Sequence, residues 1–189
     1  MQPDNIQCTL PAGDSEPDRA SKRVMTVISC GASKREDLDE DQTVPAKELY
    51  TSAAHGCKQK FALHSDGYYI ASAKFGLVSA NKELPWYDKT LKEMPDSEVA
   101  KWATDVAEDL RQVVEAYNYD AVIIIGGRDY IMPLKPLFHT IPADILTPWQ
   151  TDEEVTGIGK GMKWCNTSSN WPSNVDRIED IADIVSPKE

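Results

Sequence analysis

The chain has 189 residues and an ordinary 41% apolar share, enough for one domain with a real core. Its formal charge is −11, so a uniformly charged surface would repel nucleic acid. No apolar run approaches the roughly 18–20 residues of a membrane span, and the start MQPDNIQ lacks a basic-then-apolar signal pattern, so a cytoplasmic protein without a membrane partner is expected.

Residues 1–22 are polar and rich in Pro, Asp and Ser, which predicts a disordered leader. Val24–Ser29 (VMTVIS) is a β-branched run that ends in Cys-Gly, the pattern of a buried strand entering a loop. Glu36–Thr43 is too acidic to pack and reads as a surface loop. Pro45 suits a first helical position, and the helix expected after it would bury Leu49, Ala53, Cys57, Phe61 and Leu63. Tyr68–Ala73 (YYIASA) is a second strand, followed by a turn at Gly76 and a long loop containing Pro85–Asp88. Asp96 or Ser97 is expected to cap a strong helix. Its stripe is Val99, Trp102, Ala103, Val106, Leu110, Val113 and Val114. Asp120–Ile125 (DAVIII) is the most apolar strand, a short helix is expected near Leu134–Phe138, and Ile145-Leu146 ends the series as a fourth strand. The region from 176 to 189 is an acidic tail or helix.

This alternation predicts one α/β domain over 23–175, three-layered, with a small and mostly parallel sheet of about four strands. In such sheets ligands bind beyond the carboxyl ends of the strands. Three segments stand at those ends: SCGASK (29–34), SAKFGL (72–77) and GGRDY (126–130). With GIGKGMKW they bring Lys34, Arg35, Lys74, Arg128, Lys160 and Lys163 together with one acid, Asp129, which predicts a basic mouth on an acidic body.

Ser29, Cys30 and Gly31 are small, so their backbone N–H groups can approach an anion closely, with Lys34 adding a charge; a tight turn with an exposed lysine is the plainer alternative. Cys30 fits a buried small hydrophobe better than a nucleophile. Lys74 leaves the second strand, and Phe75 either packs in the core or stacks on a base. Gly127 frees the backbone beside Arg128, which can grip phosphate in a two-pronged contact. Asp129 suits a general base or an electrostatic stabiliser, Tyr130 offers a stacking face, and an Arg–Asp pair that only pins the loop is the alternative. Tyr87 and Asp88 form either a lid or a packed aromatic loop, and Lys160 lies in a glycine-rich stretch that is weak evidence for phosphate binding. His55, His64 and His139 fit no triad or metal spacing. Cys8, Cys30, Cys57 and Cys165 make no C-x-x-C pair, so reduced thiols, no metal and no cofactor are expected.

Taken in order, SCGASK, PAKELYTS, SAKFGLV, PWYDKTL, GGRDY and GIGKGMKW resemble a YaaA-related family of bacterial, archaeal and phage proteins with an S-C-G-x-x-K start, over about Val24 to Trp164. Ser33-Lys34, Gly76-Leu77 and Asp129-Tyr130 carry the match. YaaA proteins are associated with DNA binding and peroxide protection. The chain is more distantly similar to the P-C-S-x-x-K domain of archaeosine synthase, which is uracil-DNA-glycosylase-like in fold and acts on a tRNA base. Cys30 and Lys34 fall on its Cys and Lys, while Gly31 replaces its Ser and no Pro precedes the Cys. The leading expectation is an enzyme that cleaves an N-glycosidic bond or modifies a base, with a nucleobase, nucleoside or nucleic acid (DNA or tRNA) as partner. Asp129, Lys34 and Asp88 are its catalytic candidates. The alternatives are a non-catalytic DNA-binding protein and a nucleotide-binding or protein-interaction module.

Overall fold

A computed structural model describes residues 22–39 and 41–174. The leader, apart from Lys22, and the acidic tail lie outside the described residues.

The apolar run Val24–Ser29 forms β1, buried at every position. It sits at the centre of a five-stranded sheet of order β4-β3-β1-β6-β7. Strands β3 (Gly67–Ser72), β6 (Ala121–Ile125) and β7 (Asp144–Leu146) run parallel to β1 and to one another, and β4 (Gly76–Ser79) pairs antiparallel to β3 as an edge. Helices α2 (Ala53–Ala62) and α6 (Gly157–Asn166) pack together on the sheet, as do α3 (Asp96–Tyr117) and α4 (Arg128–Leu134), which gives a three-layer α/β fold. Among the described residues no helix is long and apolar enough to cross a membrane.

Several boundaries differ from the sequence expectation. The helix expected after Pro45 is two helices, α1 (Ala46–Leu49) and α2, with Tyr50 extended between them. Tertiary bonds impose the break: Arg35 N donates to Leu49 O and Thr51 N to Ser33 O, which ties Tyr50 to Lys34 in a bridge. Ser52 then caps α2 by accepting from His55 N at 3.2 Å. The buried face of α2 is His55, Lys58, Phe61 and Ala62, while Leu63 is 65% exposed.

The turn after β3 leads directly into β4 through Gly76 at φ +67°, where a left-handed backbone favours glycine. Part of the two expected loops pairs instead as a small antiparallel ribbon of β2 (Thr43–Pro45) and β5 (Glu83–Pro85). Helix α3 starts at Asp96 without a side-chain cap, and buries Trp102, Ala103, Val106, Ala107, Leu110 and Val114. Arg128, Asp129 and Tyr130 are the first turn of α4 and not a loop, and a 3-10 turn over Lys135–Thr140 continues it. GIGKGMKW is the body of α6, with Trp164 buried.

The parallel strands, taken in chain order, lie 2-1-3-4 across the sheet. The first connection leaves β1 for β3 and the next returns past β1 to β6, so the switch point of the strand order lies between the carboxyl ends of β1 and β6, the place where such sheets bind ligands.

Candidate active site

Ser29 ends β1, Cys30 follows it, and Ser29 faces Gly126 just past β6. A Cβ on Gly126 would stand 3.2 Å from Ser29 Cβ, a tight contact that would push Ser29 back by a few tenths of an ångström. Cys30 N donates to Ala71 O at 3.0 Å, which fixes the turn to β3, and Cys30 Sγ lies 2.9 Å from Tyr130 Oη. Tyr130 is held in turn by the edge of Trp102, whose Nε1 donates to Ser72 O at 2.8 Å. Burial, and then the neighbouring Cys30, push the Tyr130 hydroxyl well above its ordinary pKa.

A second buried cluster sits at the end of β3. The Tyr87 hydroxyl bonds both Tyr50 Oη and Ser72 Oγ at 2.9 Å, and Ser72 Oγ also accepts from the Lys74 and Phe75 amides. Burial raises the Tyr50 pKa to about 12 and raises that of Tyr87 further. Over the Tyr87 ring lie two cations, Lys34 Nζ at 4.4 Å and Lys74 Nζ at 5.8 Å from the centroid. Among the described residues neither has a carboxylate partner. Two ammonium groups beside one aromatic ring, the Lys34 group also donating to Ala32 O at 3.5 Å, can receive an anion.

Sequence reasoning missed the groups behind these strands. Lys58 is 5% exposed, and its Nζ donates to Ser29 O at 2.6 Å and to Ser29 Oγ at 2.8 Å. Burial lowers its pKa to about 8 against the opposing pull of Cys30 and Cys165. His55 is fully buried beside the Tyr50 ring at 4.7 Å; neither ring nitrogen makes a hydrogen bond of normal geometry among the described residues, and the one backbone group that favours the protonated ring is that of Ser29. Burial and then Lys58 lower its pKa to about 3, so the ring is neutral at pH 7. The available signal was a histidine and a lysine on the apolar stripe of α2, visible only once the helix is started at Ala53.

The structure therefore brings Lys34, Lys74, Phe75 and Tyr87 together, and joins Cys30 to Tyr130. Tyr87 is only 2% exposed, so it is a wall beneath the cations and not a stacking face; Phe75 is half-buried, and the exposed aromatic on that loop is Trp86 at 48%. Gly127, Arg128 and Asp88 are exposed. Asp129 is exposed and ion-paired with Lys92 at 3.4 Å, and Arg35 is taken up by Asp37 at 2.6 Å. Lys160 stands exposed on α6, and among the described residues no contact ties it to these groups. A separate open groove of about 400 Å³ runs between α3 and α4, lined by Asp96, Val99, Ala103, Pro133 and Leu137 among others. It carries an acid and no cation, which suits a phosphate poorly.

The model of a family of unknown function (DUF6884) matches residues 25–167. No curated protein and no solved structure gives a significant match.

Proposed function

The chain belongs to the DUF6884 family, for which no function is assigned, so the reading rests on the site, and we propose an enzyme that acts on a phosphate-bearing nucleobase compound, free or in nucleic acid. The observation that carries this is the pair of uncompensated cations, Lys34 and Lys74, held over Tyr87 at the carboxyl edge of the sheet. They would take the phosphate, with Arg128 as a further exposed cation beside the switch point. The half-buried rings of Phe75 and Tyr130 would meet the base. Asp129 would stabilise a positively charged sugar or activate water during N-glycosidic cleavage or base modification, once a ligand draws it from Lys92. The reading takes the fold as a uracil-DNA-glycosylase-like version of the three-layer α/β class, as the YaaA and archaeosine synthase resemblances of the sequence imply.

The test is incubation with nucleotides, DNA and tRNA, followed by mass analysis of released or altered bases. The reading expects a product that is lost in Asp129→Asn. No product from any substrate, with Asp129→Asn indistinguishable from wild type, would sink it. The Lys92 pairing of Asp129 favours a second reading, non-catalytic binding of a nucleic acid. That reading expects binding that weakens steeply with salt and survives Asp129→Asn.

A further inference from the structure

Three groups at the end of β1 have no part in the reading above: Cys30 as a reacting group, Lys58 and His55. Cys30 is 9% exposed, with its sulfur 2.9 Å from Tyr130 Oη. Lys58 is a buried cation that no carboxylate among the described residues pairs with; its ammonium is held only by the two oxygens of Ser29, the residue next to Cys30. The groups whose negative charge would favour the ammonium are thiols, Cys30 first and then Cys165 from α6. His55 lies one helical turn before Lys58 and borders the residue after Cys30, since a Cβ on Gly31 would stand 3.6 Å from His55 Cβ. Buried polar side chains are nearly always satisfied; the Ser29 backbone can serve one ring nitrogen of His55 at most, and the other, unmatched near the end of β1, points to a ligand group that completes it.

We propose that Cys30 is the covalent nucleophile of this site, with the Lys58 ammonium balancing the charge of its sulfur and His55 hydrogen-bonding the ligand. The ligand class is a compound whose electrophilic carbon bears a nitrogen leaving group, as at an N-glycosidic bond. The proposal rests on the reading of this edge as a nucleobase site. In the first displacement the thiol gives its proton to water. The sulfur pair then bonds the carbon, and the carbon–nitrogen bond breaks with its pair on the departing base, which takes a proton from water. In the second, a water oxygen bonds the carbon, the carbon–sulfur bond breaks with its pair on sulfur, and the displaced proton restores the thiol. The net reaction consumes one water and needs no oxidant or reductant.

The test is alkylation of the intact chain by iodoacetamide, where the S–C bond forms as iodide leaves, resolved by peptide mass spectrometry. Exposure alone puts half-buried Cys57 ahead of Cys30. The proposal expects the reverse, with Cys30 faster than Cys57 by about tenfold or more. Lys58→Met is expected to bring the Cys30 rate down towards that of Cys57. If Lys58→Met does not fold, Tyr130→Phe, which keeps the ring and removes only the hydroxyl contact, is expected to slow Cys30 several-fold. An unreactive Cys30 beside a reactive Cys57, or a rate that neither substitution changes, would overturn the proposal. Nucleoside monophosphates added as protectants separate the two claims. A slow Cys30 with intact nucleotide binding refutes the nucleophile alone. A fast Cys30 that no nucleotide shields refutes the nucleobase reading and leaves the activated thiol standing.

Discussion

Replacing Lys58 with methionine keeps an unbranched chain of similar length in the core and removes the buried charge. The folded protein holds this amine at a pKa of about 8, against an ordinary value of 10.5. At ~1.4 kcal/mol per tenfold change, that gap opposes the charged form by ~3 kcal/mol. The bonds to Ser29 O and Oγ, at 2.6 and 2.8 Å, work the other way, and hydrogen bonds to charged groups contribute ~1.5–3 kcal/mol each. The two bonds together match or exceed that opposition at pH 7, so Lys58→Met is expected to be up to ~3 kcal/mol less stable than wild type there. Raising the pH separates the proteins. Between about 8 and 10.5 the unfolded chain still binds the proton and the folded chain has released it, so wild-type stability gains with pH through this group. From pH 7 to pH 10 the gain is ~2 kcal/mol, and the variant lacks it. Cys165, whose thiol burial pushes up to about 12, acts in the opposite direction above its ordinary pKa; Lys58 pulls that thiol down, so the variant loses stability through Cys165 somewhat more steeply, which widens the difference between the two proteins. Urea unfolding of both proteins at pH 7, 8, 9 and 10 measures this. Parallel stability curves would refute the account of Lys58 as a buried, unneutralised cation.

His55 titrates with the same sign at lower pH. Its folded pKa of about 3 lies below the ordinary 6.5, so stability present above 6.5 is lost as the pH falls. The loss between pH 7 and pH 4 is ~3 kcal/mol, and urea midpoints of His55→Gln should show a shallower acid limb. Tyr87→Phe removes the 2.9 Å partner of the buried Tyr50 hydroxyl, while Ser72 Oγ keeps the Lys74 and Phe75 amides, and thermal or urea unfolding should register a cost of ~1–3 kcal/mol. Gly126→Ala forces a methyl to 3.2 Å from Ser29 Cβ, an overpacking cost of ~1–3 kcal/mol in urea unfolding. At Gly127 an added methyl meets nothing within 4 Å, so Gly127→Ala should be near neutral in the same assay.

The sheet was legible because its central strands are short, mostly apolar runs rich in β-branched residues. Val24–Ser29 and Ala121–Ile125 are buried at every position, and no local competition obscures them. The edge strand β4 and the β2–β5 ribbon were not legible, since GLVS, TVP and ELP are short and take their conformation from partners distant in sequence. The break at Tyr50 is of the same kind, an effect of the Lys34 bridge that no helical propensity announces. At the site, the strand-end segments were readable from their small residues and lysines. Lys58 and His55 were not, because a charged and a polar residue on a buried stripe look like a solvated face until the phase of α2 is known. The ion pair of Asp129 with Lys92 depends on a loop-to-helix approach across 37 residues, which spacing cannot reveal.

The central claim is that Lys34 and Lys74 receive the phosphate of a nucleobase compound, and calorimetric titration with nucleoside 5′-monophosphates and their unphosphorylated nucleosides tests it most directly. A charge-assisted contact worth ~1.5–3 kcal/mol predicts that Lys34→Ala and Lys74→Ala each weaken monophosphate binding by about tenfold or more, and that the nucleosides bind wild type and variants alike. Monophosphates that bind wild type and both variants equally, or that bind none of them, would contradict it.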